Sequence, residues 1–169
     1  ANAVCLFSGG LDSLVGAIDW LEEHKAEKLL LIGHYDGKVP GTYADQRRVL
    51  EKISSHYGEE GIEAIFVGIT QDPPGTETSF RSRSILFLAL GMLFASSLGD
   101  EHPLLIPENG AIALNSPLSP SRRGTCSTRT AHPYFLDCLR EILKLVQLQN
   151  SILNPHAAKT KGEVVQLCK

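Results

Sequence analysis

A glycine-rich hexapeptide near the amino terminus constrains the fold of this 169-residue chain more than any other segment. This glycine loop, Ser8-Gly9-Gly10-Leu11-Asp12-Ser13, follows an apolar run at residues 3–7 and precedes apolar residues at helical spacing, Leu14, Ile18 and Leu21. The order predicts a strand, a tight turn and a helix. Backbone N–H groups and a helix N-terminus would then converge on one point, which suits an anion.

The side chains of the glycine loop favour a phosphate ligand together with a cation. Gly9 and Gly10 allow the backbone to approach a ligand closely, and Ser8 and Ser13 offer hydroxyl groups. Asp12 would repel a phosphate unless a cation lay between them, so the loop predicts Mg²⁺ with Asp12 as a metal ligand. The loop matches neither GxxxxGK nor GxGxxG. The alternative is a tight turn with a Ser or Asp N-cap.

Apolar segments that alternate with helical patterns predict the fold class. Strands are expected at residues 3–7, 28–32, 63–69 and 104–106, and helices at residues 11–24, 42–57, 82–98, 133–147 and from 160 onward. This alternation predicts an α/β protein, a parallel sheet with helices on both faces, built as a single domain over residues 1–169. The pattern at residues 82–98 is apolar nearly all round, which predicts a buried helix.

Composition excludes several functional classes. A net charge of −3 and a pI of about 6.1 give no strong nucleic-acid signal. The longest apolar run, residues 85–95, is too short to cross a membrane. The four cysteines form no CxxC pair, which disfavours a zinc site within this chain and favours reduced thiols in a cytoplasmic protein. The chain starts almost on its first strand and ends within a helical pattern, so we expect a domain excised from a longer protein.

Ligands of parallel α/β sheets bind beyond the carboxyl ends of the strands, and several polar groups are expected at that edge. Arg81 and Arg83 open the third long helix, where they predict a second anion site that stabilises charge on a leaving group. The alternative is a pair of ordinary surface arginines. Glu108 and Asn109 follow the fourth strand, where they could bind substrate or Mg²⁺, or form only a turn.

Residues 115–132 form a long segment without periodicity, which is typical of a lid or a binding loop. Its cations, Arg122, Arg123 and Arg129, suit an anionic substrate or a partner's carboxylate, or else form a solvated charged surface. Cys126 lies between them, either as a reactive thiol or as an incidental small residue.

The glycine loop resembles the PP-loop of the ATP pyrophosphatase superfamily, whose members cleave ATP to AMP and pyrophosphate and adenylate a substrate oxygen. Residues 79–88 resemble the arginine-containing helix entry of the 7-cyano-7-deazaguanine synthase branch. That branch usually has Arg-Asn where Arg83-Ser84 stands, so both Arg81 and Arg83 stay open for the phosphate contact. The segment His34-Tyr35-Asp36-Gly37 resembles the branch's Asp-Tyr-Gly region, with Asp and Tyr inverted, and so implies contacts with the nucleoside end of ATP.

Residues 112–118, 127–130 and 160–163 resemble the divergent synthase-like proteins of the Qat anti-phage defence system. The resemblances imply an adenine nucleotide alpha hydrolase-like, Rossmann-like fold. They also imply an enzyme that uses ATP and Mg²⁺ to activate a carboxylate or amide for nitrogen transfer, in 7-deazapurine chemistry or antiviral defence.

The acceptor would be a small molecule or a protein, with a partner subunit as a further option. The branch's cysteine-rich zinc motif is missing, so a zinc site would lie outside this chain. Two alternatives stay open: an RNA thiolase that uses Cys126, and a nucleotide-binding regulatory module without turnover.

Overall fold

The computed structural model describes residues 1–37, 40–58, 60–70, 83–114 and 131–167. Five strands form one sheet: β1 Ala3–Leu6, β2 Leu29–Tyr35, β3 Ile62–Gly68, β4 Leu104–Leu105 and β5 Ile152–Leu153. The helices are α1 Leu11–Glu23, α2 Pro40–Tyr57, α3 Arg83–Leu98, α4 Gly110–Ala113, α5 Pro133–Leu145 and α6 Lys161–Leu167.

The strand order explains where a ligand site can form. The order is β3-β2-β1-β4-β5, and every neighbouring pair is parallel. The chain runs outward from β1 through β2 to β3, then crosses to β4 on the other side of β1. The carboxyl ends of β1 and β4 therefore flank the point where the winding direction reverses, which in such sheets opens a crevice for ligands.

Successive side chains of β1 point to opposite faces of the sheet and pack in two separate cores. Ala3 and Cys5 pack with buried residues of α1 and α2, such as Trp20 and Ile53. Val4 and Leu6 pack on the opposite face, with the cluster formed by α3 and α5. Helices thus cover both faces of a parallel sheet, which confirms the predicted α/β class and explains why the strands read as continuous apolar runs.

The structure differs from the sequence-based expectations in three places. A fifth strand, β5, adds to the four expected strands. β2 extends to Tyr35, so His34 and Tyr35 lie in a strand instead of the loop expected there. Asn109 is the N-cap of the short helix α4, a helix that was not among those expected from the sequence.

α3 is less buried than its sequence predicted. Leu88, Met92 and Ala95 lie in the core, but Ile85 is 48% exposed and Leu93 is 61% exposed. A helix packed on one face of a sheet buries one side only, whatever its composition. None of the described helices is both long and apolar enough to cross a membrane.

The sequence predicted the start of α6 correctly. The Glu163 backbone N–H donates to Thr160 Oγ1 at 3.3 Å, and the Thr160 N–H donates to Glu163 Oε2 at 2.7 Å. This reciprocal capping box holds the Glu163 pKa below its usual value, because the Thr160 backbone and hydroxyl both donate to the carboxylate.

Candidate functional site

The glycine loop lies directly after β1, at the crevice between β1 and β4. Gly9 has a φ of +78°, a conformation that favours glycine. A Cβ at Gly9 would lie 3.1 Å from atoms of Gln46, so the loop also packs closely on α2. Gly10 is the N-cap of α1 and brings no side-chain acceptor. The first-turn N–H groups of α1 therefore face the crevice without a capping side chain.

Two serine hydroxyls form hydrogen bonds within the glycine loop. Ser13 Oγ donates to Gly10 O at 2.9 Å, and the Gly10 N–H donates to Ser8 Oγ at 3.3 Å. Ser8 Oγ and Ser13 Oγ lie 3.2 Å apart. Since the single proton of Ser13 is already directed at Gly10 O, Ser8 is the donor in this contact. Ser13 is buried and Ser8 is exposed, so Ser8 is the hydroxyl that a ligand can reach.

Asp12 and Asn109 meet across the crevice. Asn109 Nδ2 lies 3.3 Å from both Asp12 Oδ1 and Asp12 Oδ2. Asn109 Oδ1 accepts from the Ile112 N–H at 3.2 Å, and the residue is 1% exposed. The contact joins the helix after β1 to the segment after β4, 97 positions apart in sequence. The glycine loop and residues 108–109 therefore belong to one site.

Glu108 brings a second carboxylate to the crevice. Burial raises its pKa above the usual value, and the charge of Asp12 raises it further. Asp12 is thus close enough for the two charges to repel each other. Among the described residues, no group of three or more His, Cys, Asp or Glu side chains is arranged to hold a metal ion. A carboxylate pair is nevertheless a familiar Mg²⁺ donor set when phosphate oxygens complete the shell.

The segment after β5 contacts and supports this site, and no sequence pattern predicted its role. The Gly110 N–H donates to Lys159 O at 2.8 Å, and a Cβ at Gly110 would lie 2.3 Å from Ala157 O. His156, which is fully buried, places Nε2 3.0 Å from Asp19 Oδ2 on α1. Residues 154–159 therefore connect α1 to the start of α4.

Gln46 is a second residue that supports the site and was not predicted from the sequence. It is fully buried on α2, and its Nε2 donates to Phe7 O and to His34 O, both at 3.2 Å. The amide thereby joins the ends of β1 and β2 beneath Gly9. A signal was present, because Gln46 precedes Val49, Leu50 and Ile53 at the i, i+3, i+4, i+7 spacing of a buried helix face.

His34 lies at the carboxyl edge of β2, where the charge of Arg83, the first residue of α3, affects it. His34 is 6% exposed, and its ring centroid lies 6.4 Å from that of Phe87 on α3. Burial lowers the His34 pKa below its usual value, and the positive charge of Arg83 lowers it further, against a smaller opposing effect of Asp36. Arg83 therefore acts on the same edge of the sheet that carries the glycine loop.

Tyr35 and Asp36 complete the edge beside His34. The Tyr35 ring lies 4.7 Å from that of Tyr43 on α2, and the Thr70 hydroxyl donates to Asp36 Oδ1 at 3.3 Å. Their predicted contact with a nucleoside stays a prediction. Five other residues that the sequence singled out lie outside the described ranges: Arg81, Arg122, Arg123, Cys126 and Arg129.

Comparisons with models of protein families and with curated proteins gave no match.

Proposed function

We propose that this chain is an ATP-dependent adenylating enzyme of the PP-loop ATP pyrophosphatase superfamily, in the 7-cyano-7-deazaguanine synthase-like branch. One observation carries the proposal: the glycine loop, with Asp12, lies at the switch point of a parallel sheet and faces Glu108 and Asn109. A tight turn with an ordinary cap would not need an acidic residue opposite a second carboxylate in the ligand crevice.

The described residues fit a magnesium–nucleotide complex. Gly9 and the first turn of α1 offer backbone N–H groups to a phosphate, which suits the positive end of the helix dipole. Asp12 and Glu108 would share the cation, whose charge would relieve their mutual repulsion. Arg83 would add positive charge at the same edge, near the end of β2.

The bound nucleotide supplies the electrophilic α-phosphorus and the pyrophosphate leaving group. A substrate carboxylate or amide oxygen forms the new P–O bond as the bond between the α- and β-phosphates breaks. The glycine-loop N–H groups and Arg83 or Arg81 stabilise the charge that builds on pyrophosphate. A nitrogen nucleophile then displaces AMP and gives up a proton to solvent.

The acceptor follows from the resemblance alone, whereas the cellular location follows from the cysteine pattern. We propose a 7-deazaguanine carboxylate or a related group, carried on a small molecule or on a protein, and a cytoplasmic location. Arg122, Arg123 and Arg129 would bind the acceptor. Cys5 and Cys138 are free thiols, which suits a reducing compartment.

Product analysis tests the proposal. The full chain is incubated with Mg²⁺, ATP labelled on the α-phosphate and candidate acceptors, and the nucleotide products are separated. AMP and pyrophosphate in equal amounts are expected, and Asp12→Asn is the control that should lose them. ADP as the main product would refute the pyrophosphatase assignment. Tight ATP binding without AMP under all conditions would instead favour a regulatory module.

A second variant separates nitrogen transfer from sulfur transfer. Cys126→Ser should leave AMP formation and product formation intact, because nitrogen transfer needs no thiol. Loss of product with unchanged ATP binding would indicate an RNA thiolase.

A further inference from the structure

Asn109 joins the α4 cap to the Asp12 carboxylate. Its Oδ1 accepts from the Ile112 N–H, and its Nδ2 donates toward both oxygens of Asp12. We propose that Asn109 is a positioning residue, which orients the Asp12 carboxylate for a divalent cation. This inference rests on the proposed function, because it takes Asp12 to be the metal ligand.

Helix capping alone does not account for an amide at this position. Asp and Ser serve as N-caps about as well as Asn does. α4 is only four residues long, so its cap stabilises little structure. What Asn adds is a donor, Nδ2, at 3.3 Å from each Asp12 oxygen. Asn109 is 1% exposed, so solvent does not compete for this contact in the folded protein.

The charge balance of the crevice also favours a neutral donor. Asp12 follows β1 and Glu108 follows β4, so two carboxylates already lie at the carboxyl ends of neighbouring parallel strands. A third carboxylate at position 109 would oppose the approach of a polyphosphate, and a lysine or arginine would compete with the cation. The neutral Asn109 amide binds Asp12 without repelling a polyphosphate and without competing with the cation. A carboxylate has about four lone-pair directions, so Asp12 keeps others free for a metal.

Removing a group that orients a metal ligand usually has a measurable effect on metal affinity. Losing such a partner typically weakens metal binding by about 10–100-fold. Asn109→Ser should show this effect, because Ser keeps the cap but its hydroxyl is too short to reach Asp12. Asn109→Thr is a second variant with a capping hydroxyl and no amide.

The test uses Mn²⁺ as an electron paramagnetic resonance probe and the full chain with α,β-methylene-ATP, in which the α–β bridge cannot be cleaved. Mn²⁺ affinity, metal-free nucleotide affinity and thermal midpoints are measured for each variant. Asn150→Ser is the matched control. Asn150 is also a buried amide with two bonds, to Gly99 O at 2.7 Å and His102 O at 3.0 Å, but it lies at the amino edge of β4.

We expect Asn109→Ser and Asn109→Thr to weaken Mn²⁺ binding by about 10–100-fold and to leave metal-free nucleotide binding unchanged. Asn150→Ser should lower the thermal midpoint but not the Mn²⁺ affinity. If both Asn109 variants bind Mn²⁺ normally while Asp12→Asn loses it, Asn109 acts only as a cap and the inference is wrong. If Asp12→Asn also keeps Mn²⁺, the proposed metal site itself fails.

Discussion

Asn154 binds both backbone groups of Glu108. Its Nδ2 donates to Glu108 O at 2.9 Å, and its Oδ1 accepts from the Glu108 N–H at 3.2 Å. The same Oδ1 accepts from the His156 N–H at 3.0 Å. One side chain thus continues the pairing of β4 with β5 beyond the ends of both strands, and it fixes the residue that carries the second carboxylate of the crevice.

Asn154→Asp should destabilise the protein at neutral pH. The variant keeps the acceptor but replaces the donor to Glu108 O with a carboxylate oxygen. A partly buried carbonyl left without its donor costs about 1–3 kcal/mol, measured by urea unfolding. At low pH the protonated Asp can donate again, so the cost should shrink. A cost that does not change with pH would show that the donor to Glu108 O is not what matters.

The sheet could be predicted from sequence because parallel strands are buried on both faces. Leu30 and Ile32 of β2 contact one core and Leu29 and Leu31 the other, so the whole run is apolar. β5 is only two residues long, which is too short for any periodicity to show. His34 looked like the start of a loop because it is polar, yet it pairs with Val67 within the sheet.

The site was predictable where a motif, or a position directly after a predicted strand, indicated it. The glycine loop was recognisable because glycine, serine and aspartate follow a strand and precede a helix. The supports of the site carry no such signature. Asn154 and His156 act through contacts 46 and 137 positions away in sequence, and only the folded chain brings those partners together.

Gly16→Ala should destabilise the protein even though Ala favours helices. Gly16 lies on α1, and an added Cβ would lie 2.3 Å from Pro107 Cβ, just after β4. Such overpacking costs about 1–3 kcal/mol, more than the roughly 0.5–1 kcal/mol that Ala gains in a helix. The helix would move away from β4 and would carry Asp12 away from Asn109. Mn²⁺ affinity should therefore fall together with the unfolding free energy.

Gly41→Ala is the matched control for this prediction. Gly41 is exposed near the start of α2, and an added Cβ would meet no heavy atom within 4 Å. The variant should be neutral or up to about 1 kcal/mol more stable, with unchanged metal affinity. Equal effects of the two substitutions on the urea midpoint would contradict the close contact between α1 and Pro107.

Arg83→Gln should raise the pKa of His34, because it removes a positive charge that disfavours the imidazolium. Titration of the His34 Cε1 proton by NMR measures this shift. Burial persists in the variant, so the pKa should stay below its usual value. Arg48→Gln is the control, since Arg48 is exposed on α2 and pairs with Asp45. An unchanged His34 pKa in Arg83→Gln would show that the charge of Arg83 does not act on His34 at this edge of the sheet.

The same shift predicts how stability varies with pH. As pH falls below the usual histidine value of 6.5, the unfolded chain takes up a proton at His34 before the folded protein does. The contribution of His34 therefore lowers stability as pH falls through this window and restores it as pH rises. Arg83→Gln should make this part of the pH dependence shallower, which urea unfolding at several pH values would detect.

Asp12 and Arg83 should act on one transition state if the crevice binds a single polyphosphate. Asp12→Asn removes a proposed metal ligand, and Arg83→Gln removes charge stabilisation of departing pyrophosphate. Replacing the arginine that serves this role, Arg83 or Arg81, with Gln should lower the AMP-forming rate by roughly 10²–10³. The other arginine should have a much smaller effect, and Arg48→Gln should have none.

Combining Asp12→Asn with substitution of the working arginine should lower the rate by less than the product of the two single effects, because each variant already disrupts the same charge stabilisation. Single-turnover rates at saturating Mg²⁺ and ATP measure the chemical step without contributions from product release. Thermal midpoints of all variants exclude unfolding as the cause. Fully multiplicative effects would mean that the two residues act independently, and the single shared polyphosphate site would then have to be abandoned.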